Sequence, residues 1–108
     1  NPESFTSDQQ SKMDALKKRY EEILVTYFFL RNCGKTASTD YHVITSALGQ
    51  EMASINAPGR MQNDILVAAQ GSYKEMYSKT RCDDANTPAL HTQYNDFIRA
   101  IINNYTSK

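Results

Sequence analysis

Four stretches of this sequence repeat their apolar residues three or four positions apart, and short breaks rich in turn-forming residues separate them. This spacing places the apolar side chains on one face of a helix. No stretch shows the sustained alternation of β-branched residues that is typical of strands. The pattern therefore predicts an all-α protein. The residues on the four faces are Met13, Leu16, Tyr20, Ile23, Leu24, Tyr27 and Arg31; Tyr41, Ile44, Leu48, Met52 and Ile55; Met61, Ile65, Ala68, Ala69, Tyr73, Met76 and Tyr77; and Leu90, Tyr94, Phe97, Ile98, Ile101, Ile102 and Tyr105.

The breaks between these stretches predict the helix ends. Ser7 and Gln10 have the spacing of an N-terminal capping box, and Gly34 suits a left-handed C-terminal cap. Thr39 and Thr87 are predicted to cap the second and fourth helices. Short connections favour an antiparallel, up-down-up-down four-helix bundle as a single domain. We expect an N-terminal arm at residues 1–7 and helices at about residues 8–33, 39–56, 59–81 and 88–105.

Composition narrows the function classes. The 108 residues include 12 basic and 12 acidic side chains, which are mixed along the chain. This mixing argues against a nucleic-acid partner or a polybasic membrane anchor. The longest apolar stretch, residues 23–30, is far shorter than the roughly 20 residues that span a bilayer. The sequence predicts a soluble globular domain without membrane insertion.

Two cysteines are predicted to lie at the same end of the bundle. Cys33 follows the first helix and Cys82 the third, and these helices run parallel in an up-down-up-down arrangement. A disulfide between them would stabilise the fold by about 4 kcal/mol and would indicate a periplasmic or secreted protein. Two alternatives stay open, namely reduced core thiols and a zinc site completed by His42 and His91.

Signatures of catalysis are absent from the sequence. It has no glycine-rich phosphate loop, no nucleophile elbow and no Glu-x-x-His pair. Glu51 lies beside the apolar face of the second helix, where a single acid is more typical of a hydrogen-bond network than of catalysis. We expect a protein that is not an enzyme and that has no cofactor and no metal.

The second half of the first helix is apolar on both sides. Val25 and Phe29 project away from the face centred on Tyr20. One possibility is that the N-terminal arm with Phe5, or another helix, covers this back face. The other is that the back face forms a homodimer or partner interface. Val25 and Phe29 are therefore candidate partner-binding residues.

Several segments together resemble a known family. The first helix ends in a cysteine, an alanine-containing second helix follows, residues 73–77 lead to Cys82, and residues 88–90 open the last helix. In these features the chain resembles the periplasmic immunity proteins that neutralise amidase effectors of type VI secretion systems. The resemblance implies an all-α, often dimeric protein that inserts a loop into the cleft of a toxic peptidoglycan amidase. Residues 83–87 correspond to that loop, which makes Asp83, Asp84 and Asn86 candidate partner-binding residues.

The leading hypothesis is a non-catalytic, exported domain that binds another protein as an inhibitor of a toxin enzyme. One alternative is an intracellular helical adaptor that presents a groove, or the Val25 and Phe29 surface, to a partner helix. A second alternative is a small-molecule carrier with a cavity between its helices.

Overall fold

The computed structural model describes residues 6–106, with side chains to residue 104, and within that range the chain forms four α-helices and no strand. The predicted all-α, four-helix fold is confirmed. Most of the predicted arm at residues 1–7, including Phe5, lies outside the described residues. The helices are α1 (Ser7–Asn32), α2 (Asp40–Ser54), α3 (Arg60–Tyr77) and α4 (Thr87–Thr106).

The ends of α1 follow the sequence closely. Thr6, rather than the predicted Ser7, caps the N-terminus, because the Thr6 hydroxyl accepts a hydrogen bond of 3.1 Å from the Gln9 backbone N–H. Gly34 has a φ of 69°, and its N–H donates to the Arg31 carbonyl at 3.1 Å. This is the left-handed cap predicted for Gly34, which satisfies carbonyls that the end of the helix leaves without partners.

The ends of α2 and α3 depart from the prediction in detail. Thr39 precedes α2 as expected, but its side chain makes no capping hydrogen bond. The chain leaves α2 through Asn56, whose φ is 56°. Helix α3 ends at Tyr77 rather than near residue 81, and the residues that follow it bring the Cα atom of Cys82 to 5.5 Å from that of Cys33.

Contacts between the helices give their directions. The Gln9 side chain donates to the Ile55 carbonyl at 3.1 Å, so the start of α1 lies beside the end of α2. The Tyr27 ring, near the end of α1, lies 6.3 Å from the ring of Tyr94 near the start of α4. Helix α1 is thus antiparallel to α2 and α4. The rings of Phe28 and Tyr73 are 6.1 Å apart near the ends of α1 and α3, which run parallel.

Helix α1 is the centre of the bundle. It packs against all three other helices, and most extensively against α3. Within the described residues α3 and α4 make no close backbone approach, so they lie on different sides of the α1–α2 pair. Tyr20, Leu24 and Leu30 of α1 are fully buried. This central position explains why α1 is apolar on both sides, as a helix buried all round must be.

Candidate functional site

The two cysteines form a disulfide at one end of the bundle, called here the disulfide end. Their Cα atoms lie 5.5 Å apart, within the range that a disulfide requires. The predicted Cys33–Cys82 bond is therefore present. Cys33 packs against the core, whereas Cys82 is exposed. The bond ties the segment that follows α3 to the end of α1.

The disulfide excludes both alternatives that the sequence left open, namely reduced core thiols and a zinc site. Neither cysteine is a free thiol, so neither supplies the thiolate that a zinc site with His42 and His91 requires. Among residues 6–106, no group of three or more His, Cys, Asp or Glu side chains is arranged to hold a metal ion.

Backbone turns shape the loop at residues 78–86, between α3 and α4. The Asp84 N–H donates to the Arg81 carbonyl at 3.1 Å, and the Thr87 N–H donates to the Asp84 carbonyl at 3.0 Å. The Asp84 carboxylate also accepts a hydrogen bond of 2.9 Å from the Asn86 N–H. Two successive turns thus lead from the disulfide directly into α4. The loop backbone is ordered by its own hydrogen bonds as well as by the covalent bond.

The three loop candidates from the sequence are accessible on this framework. Asp83, Asp84 and Asn86 are all exposed. Asp83 lies 3.5 Å from Arg81, but both side chains are about four-fifths exposed, so this ion pair contributes little to stability. Side chains of residues 83 and 86 are consequently free to meet another surface.

Two surface clefts flank the loop, and Asp84 and Thr87 line both. One cleft, of about 400 Å³, includes Lys35, Cys82 and His91, and the other, of about 370 Å³, includes Phe29, Tyr77 and Leu90. Thr87 is only 5% exposed, and its hydroxyl has no hydrogen-bond partner among the described residues. The predicted capping role of Thr87 is therefore wrong, because α4 begins at Thr87 itself and the turn before it is closed by Asp84.

Helix α3 covers the back face of α1. Phe29 is 2% exposed and stacks on Tyr77, with ring centroids 4.4 Å apart and ring planes 22° apart. Val25 is also buried. Of the alternatives for this back face, the structure shows that another helix, α3, covers it. Val25 and Phe29 are core residues rather than an exposed partner surface, which corrects their assignment as partner-binding candidates.

Glu51 belongs to a hydrogen-bond network between α1 and α2, as the sequence predicted. Its carboxylate accepts hydrogen bonds from the Tyr20 hydroxyl and from the Arg19 guanidinium, the latter at 2.8 and 3.0 Å. Arg19 also lies over the rings of Tyr20 and Phe97, at 5.2 and 5.8 Å from their centroids. Burial, reinforced by the Glu51 charge, raises the pKa of Tyr20. The arrangement holds the carboxylate in place by three donated hydrogen bonds.

Sequence reasoning missed a second pair of this kind, which joins α2 to α4. The Tyr94 hydroxyl donates to an Asp40 carboxylate oxygen at 2.9 Å, and the Thr36 hydroxyl donates to the same oxygen. Burial raises the pKa of Tyr94 well above its ordinary range. The available signals were a first-turn acid in α2 and a tyrosine on the apolar face of α4. Nothing local connects two residues that are 54 positions apart.

None of the helices that the structure describes is long and apolar enough to cross a membrane. No protein-family model matches the chain, and searches of curated proteins and of solved structures find no match. The resemblance to immunity proteins therefore stays a prediction.

Proposed function

We propose that this chain is an exported, non-catalytic domain that binds a partner protein through the loop at residues 83–86. The proposed partner is a toxin enzyme that cleaves peptidoglycan as an amidase, and binding inhibits it. The observation that carries this proposal is an exposed loop whose backbone is fixed by the Cys33–Cys82 disulfide and by the turns around Asp84.

A fixed loop is suited to inhibition because it loses little conformational entropy when it enters a cleft. Ordering a flexible residue costs about 1–2 kcal/mol, and that cost lowers the affinity of an unstructured loop. Here the hydrogen bonds from the Asp84 N–H to the Arg81 carbonyl and from the Thr87 N–H to the Asp84 carbonyl order the backbone before any partner arrives. The exposed side chains of Asp83 and Asn86 then supply hydrogen-bonding groups for recognition.

Export is supported by the disulfide. Such bonds persist in the periplasm and outside the cell, whereas cytosolic reductants keep most thiols free. The non-catalytic part of the proposal is supported by the two carboxylates that accept hydrogen bonds from buried tyrosines, because both have a structural role. Glu51 and Asp40 each accept hydrogen bonds from more than one side chain.

Photo-crosslinking tests the loop as the contact site. The chain is produced in its native cells with a photoreactive amino acid at position 83 or 86, and adducts are identified by mass spectrometry. The matched control carries the same amino acid at position 17, an exposed site on the first half of α1. We expect one protein adduct from positions 83 and 86 that position 17 does not give. An identical adduct pattern at all three positions, or no loop adduct, contradicts the proposal.

An inhibition assay then tests the class of partner. The crosslinked protein is purified and its release of peptides from peptidoglycan is measured with increasing amounts of this chain. We expect inhibition to saturate near equal amounts of the two proteins. The double variant Asp83→Lys/Asn86→Ala is expected to lose inhibition, while Lys17→Ala retains it. A partner without amidase activity, or equal inhibition by the loop variant, refutes the toxin-inhibitor assignment.

A further inference from the structure

A second surface, away from residues 83–86, combines aromatic and basic side chains. It is the cleft between the C-terminal halves of α1 and α3, of about 530 Å³, and is called here the α1–α3 groove. Phe28 and Tyr73 are half-buried and their rings lie 6.1 Å apart. Because each ring keeps part of its surface exposed, the groove offers apolar area to a ligand. Its lining residues are Phe28, Arg31, Asn32, Gln70, Tyr73 and Lys74.

Two cations flank these rings, one from each helix. Arg31 and Lys74 are exposed, and neither makes an ion pair or a hydrogen bond through its side chain with any residue that the structure describes. Arg19, by contrast, is held by Glu51. A cation in the last turn of a helix interacts favourably with the helix dipole, which accounts for the sign of each charge. It does not account for both cations lining the same cleft.

The apolar surface continues along α3. Val67 is 60% exposed, and its spacing from Gln70 and Lys74 places it on the same face of the helix as the groove residues. Exposed aliphatic side chains are ordinary when they are scattered singly. Here Val67 extends a surface that already contains two aromatic rings and two unpaired cations.

We propose that the α1–α3 groove binds an acidic segment of a partner protein in which an apolar side chain lies between acidic residues. Carboxylates match the two cations, and the guanidinium of Arg31 can donate two parallel hydrogen bonds to one carboxylate. The apolar side chain packs against the exposed parts of the Phe28 and Tyr73 rings. This inference uses no residue of the 83–86 loop and does not depend on the proposed inhibition of a toxin.

The probe is a short acetylated peptide in which glutamates surround one tryptophan and one leucine. The chain contains no tryptophan, so tryptophan emission reports on the peptide alone. We expect a blue shift and saturable binding that weakens as salt concentration rises, because salt screens exposed charges. A matched peptide with glutamine in place of glutamate is expected to bind about tenfold more weakly.

Charge-neutralising variants locate the site. Arg31→Gln/Lys74→Gln is expected to weaken binding of the acidic peptide about tenfold, whereas Lys17→Gln/Lys18→Gln, which removes the same charge from an exposed part of α1, leaves it unchanged. Circular dichroism confirms that both variants fold. The proposal is overturned if the acidic peptide does not bind, if both variants weaken binding equally, or if the groove variant binds as tightly as the native chain.

Discussion

Helices α3 and α4 are attached to the rest of the bundle by different interactions. Both pack on the central α1–α2 pair, and within the described residues they do not approach each other. Helix α3 is held by aromatic stacking on α1 and by the disulfide that follows it. Helix α4 is held by an apolar face and by the Tyr94–Asp40 hydrogen bond. The disulfide thus holds α3, the helix that lines the α1–α3 groove and precedes the exposed loop.

Removal of the covalent bond is expected to have the largest effect on this comparison. Cys33→Ser/Cys82→Ser should lower the free energy of unfolding by about 4 kcal/mol, because a link between residues 49 positions apart restricts the unfolded chain. Urea denaturation followed by circular dichroism measures the change. The native chain under reducing conditions is the control and should lose as much. A loss below about 1 kcal/mol would show that α3 is held by packing alone.

Truncation of the stacked ring tests the non-covalent part of the α3 side. Phe29→Ala should destabilise the chain by about 3 kcal/mol, because a fully buried aromatic leaves a cavity when it is shortened. Met76→Ala is the control on α3, since Met76 is 62% exposed and its truncation should change stability by less than about 0.5 kcal/mol. Equal effects in denaturant unfolding would mean that Phe29 is not covered by α3.

On the α4 side, the hydrogen bond of Tyr94 should be worth less than either of these. Tyr94→Phe should cost about 1 kcal/mol, because it removes one hydrogen bond to the Asp40 carboxylate. Urea denaturation of this variant and of Tyr20→Phe gives the two values. Tyr20→Phe should cost less, because Glu51 keeps both hydrogen bonds from Arg19. The reverse order would show that the hydrogen bonds from Arg19 do not compensate for the loss of the one from Tyr20.

The dependence of stability on alkaline pH tests the same two tyrosines, because their burial determines whether stability rises or falls. Burial raises the pKa of both phenols above the ordinary value of 10.0, so the unfolded chain loses these protons first as pH rises. The stability they contribute is complete below pH 10 and declines above it. Denaturant midpoints measured across this range should fall for the native chain and fall less for Tyr20→Phe/Tyr94→Phe. Parallel curves would refute the role assigned to burial.

Replacement of an unpaired hydroxyl is expected to give the smallest effect, and one of opposite sign. Thr87→Val keeps the shape of a buried side chain at the start of α4 while removing an oxygen that has no hydrogen-bond partner among the described residues. Stability should be unchanged or should rise by up to about 1 kcal/mol. The midpoint of thermal unfolding measures this, with exposed Thr92→Val as the control. A clear loss at Thr87 would indicate a bound water or ligand at this hydroxyl.

Local patterns predicted the helices and the Gly34 cap, because each depends on spacing or on backbone conformation within a few residues. Cys33 and Cys82 are 49 positions apart, and their pairing was predicted because the order of the four helices places both at the same end of the bundle. The Tyr94–Asp40 bond and the cover of Phe29 by Tyr77 depend on which helices become neighbours, which periodicity does not specify. The predicted end of α3 was late because the apolar pattern stops at Tyr77, whereas residues 78–82 contain no glycine or proline that marks the end of a helix. Thr6 and Ser7 both carry capping hydroxyls, so the sequence could not choose between them.

The state of the two cysteines in the cell decides whether the loop is held covalently. Protein isolated from its native compartment is denatured without reductant, treated with an alkylating reagent and weighed by mass spectrometry. We expect no alkylated cysteine, since Cys33 and Cys82 are bonded to each other. Two alkylated cysteines would contradict both the covalent fixing of the loop and the proposed export.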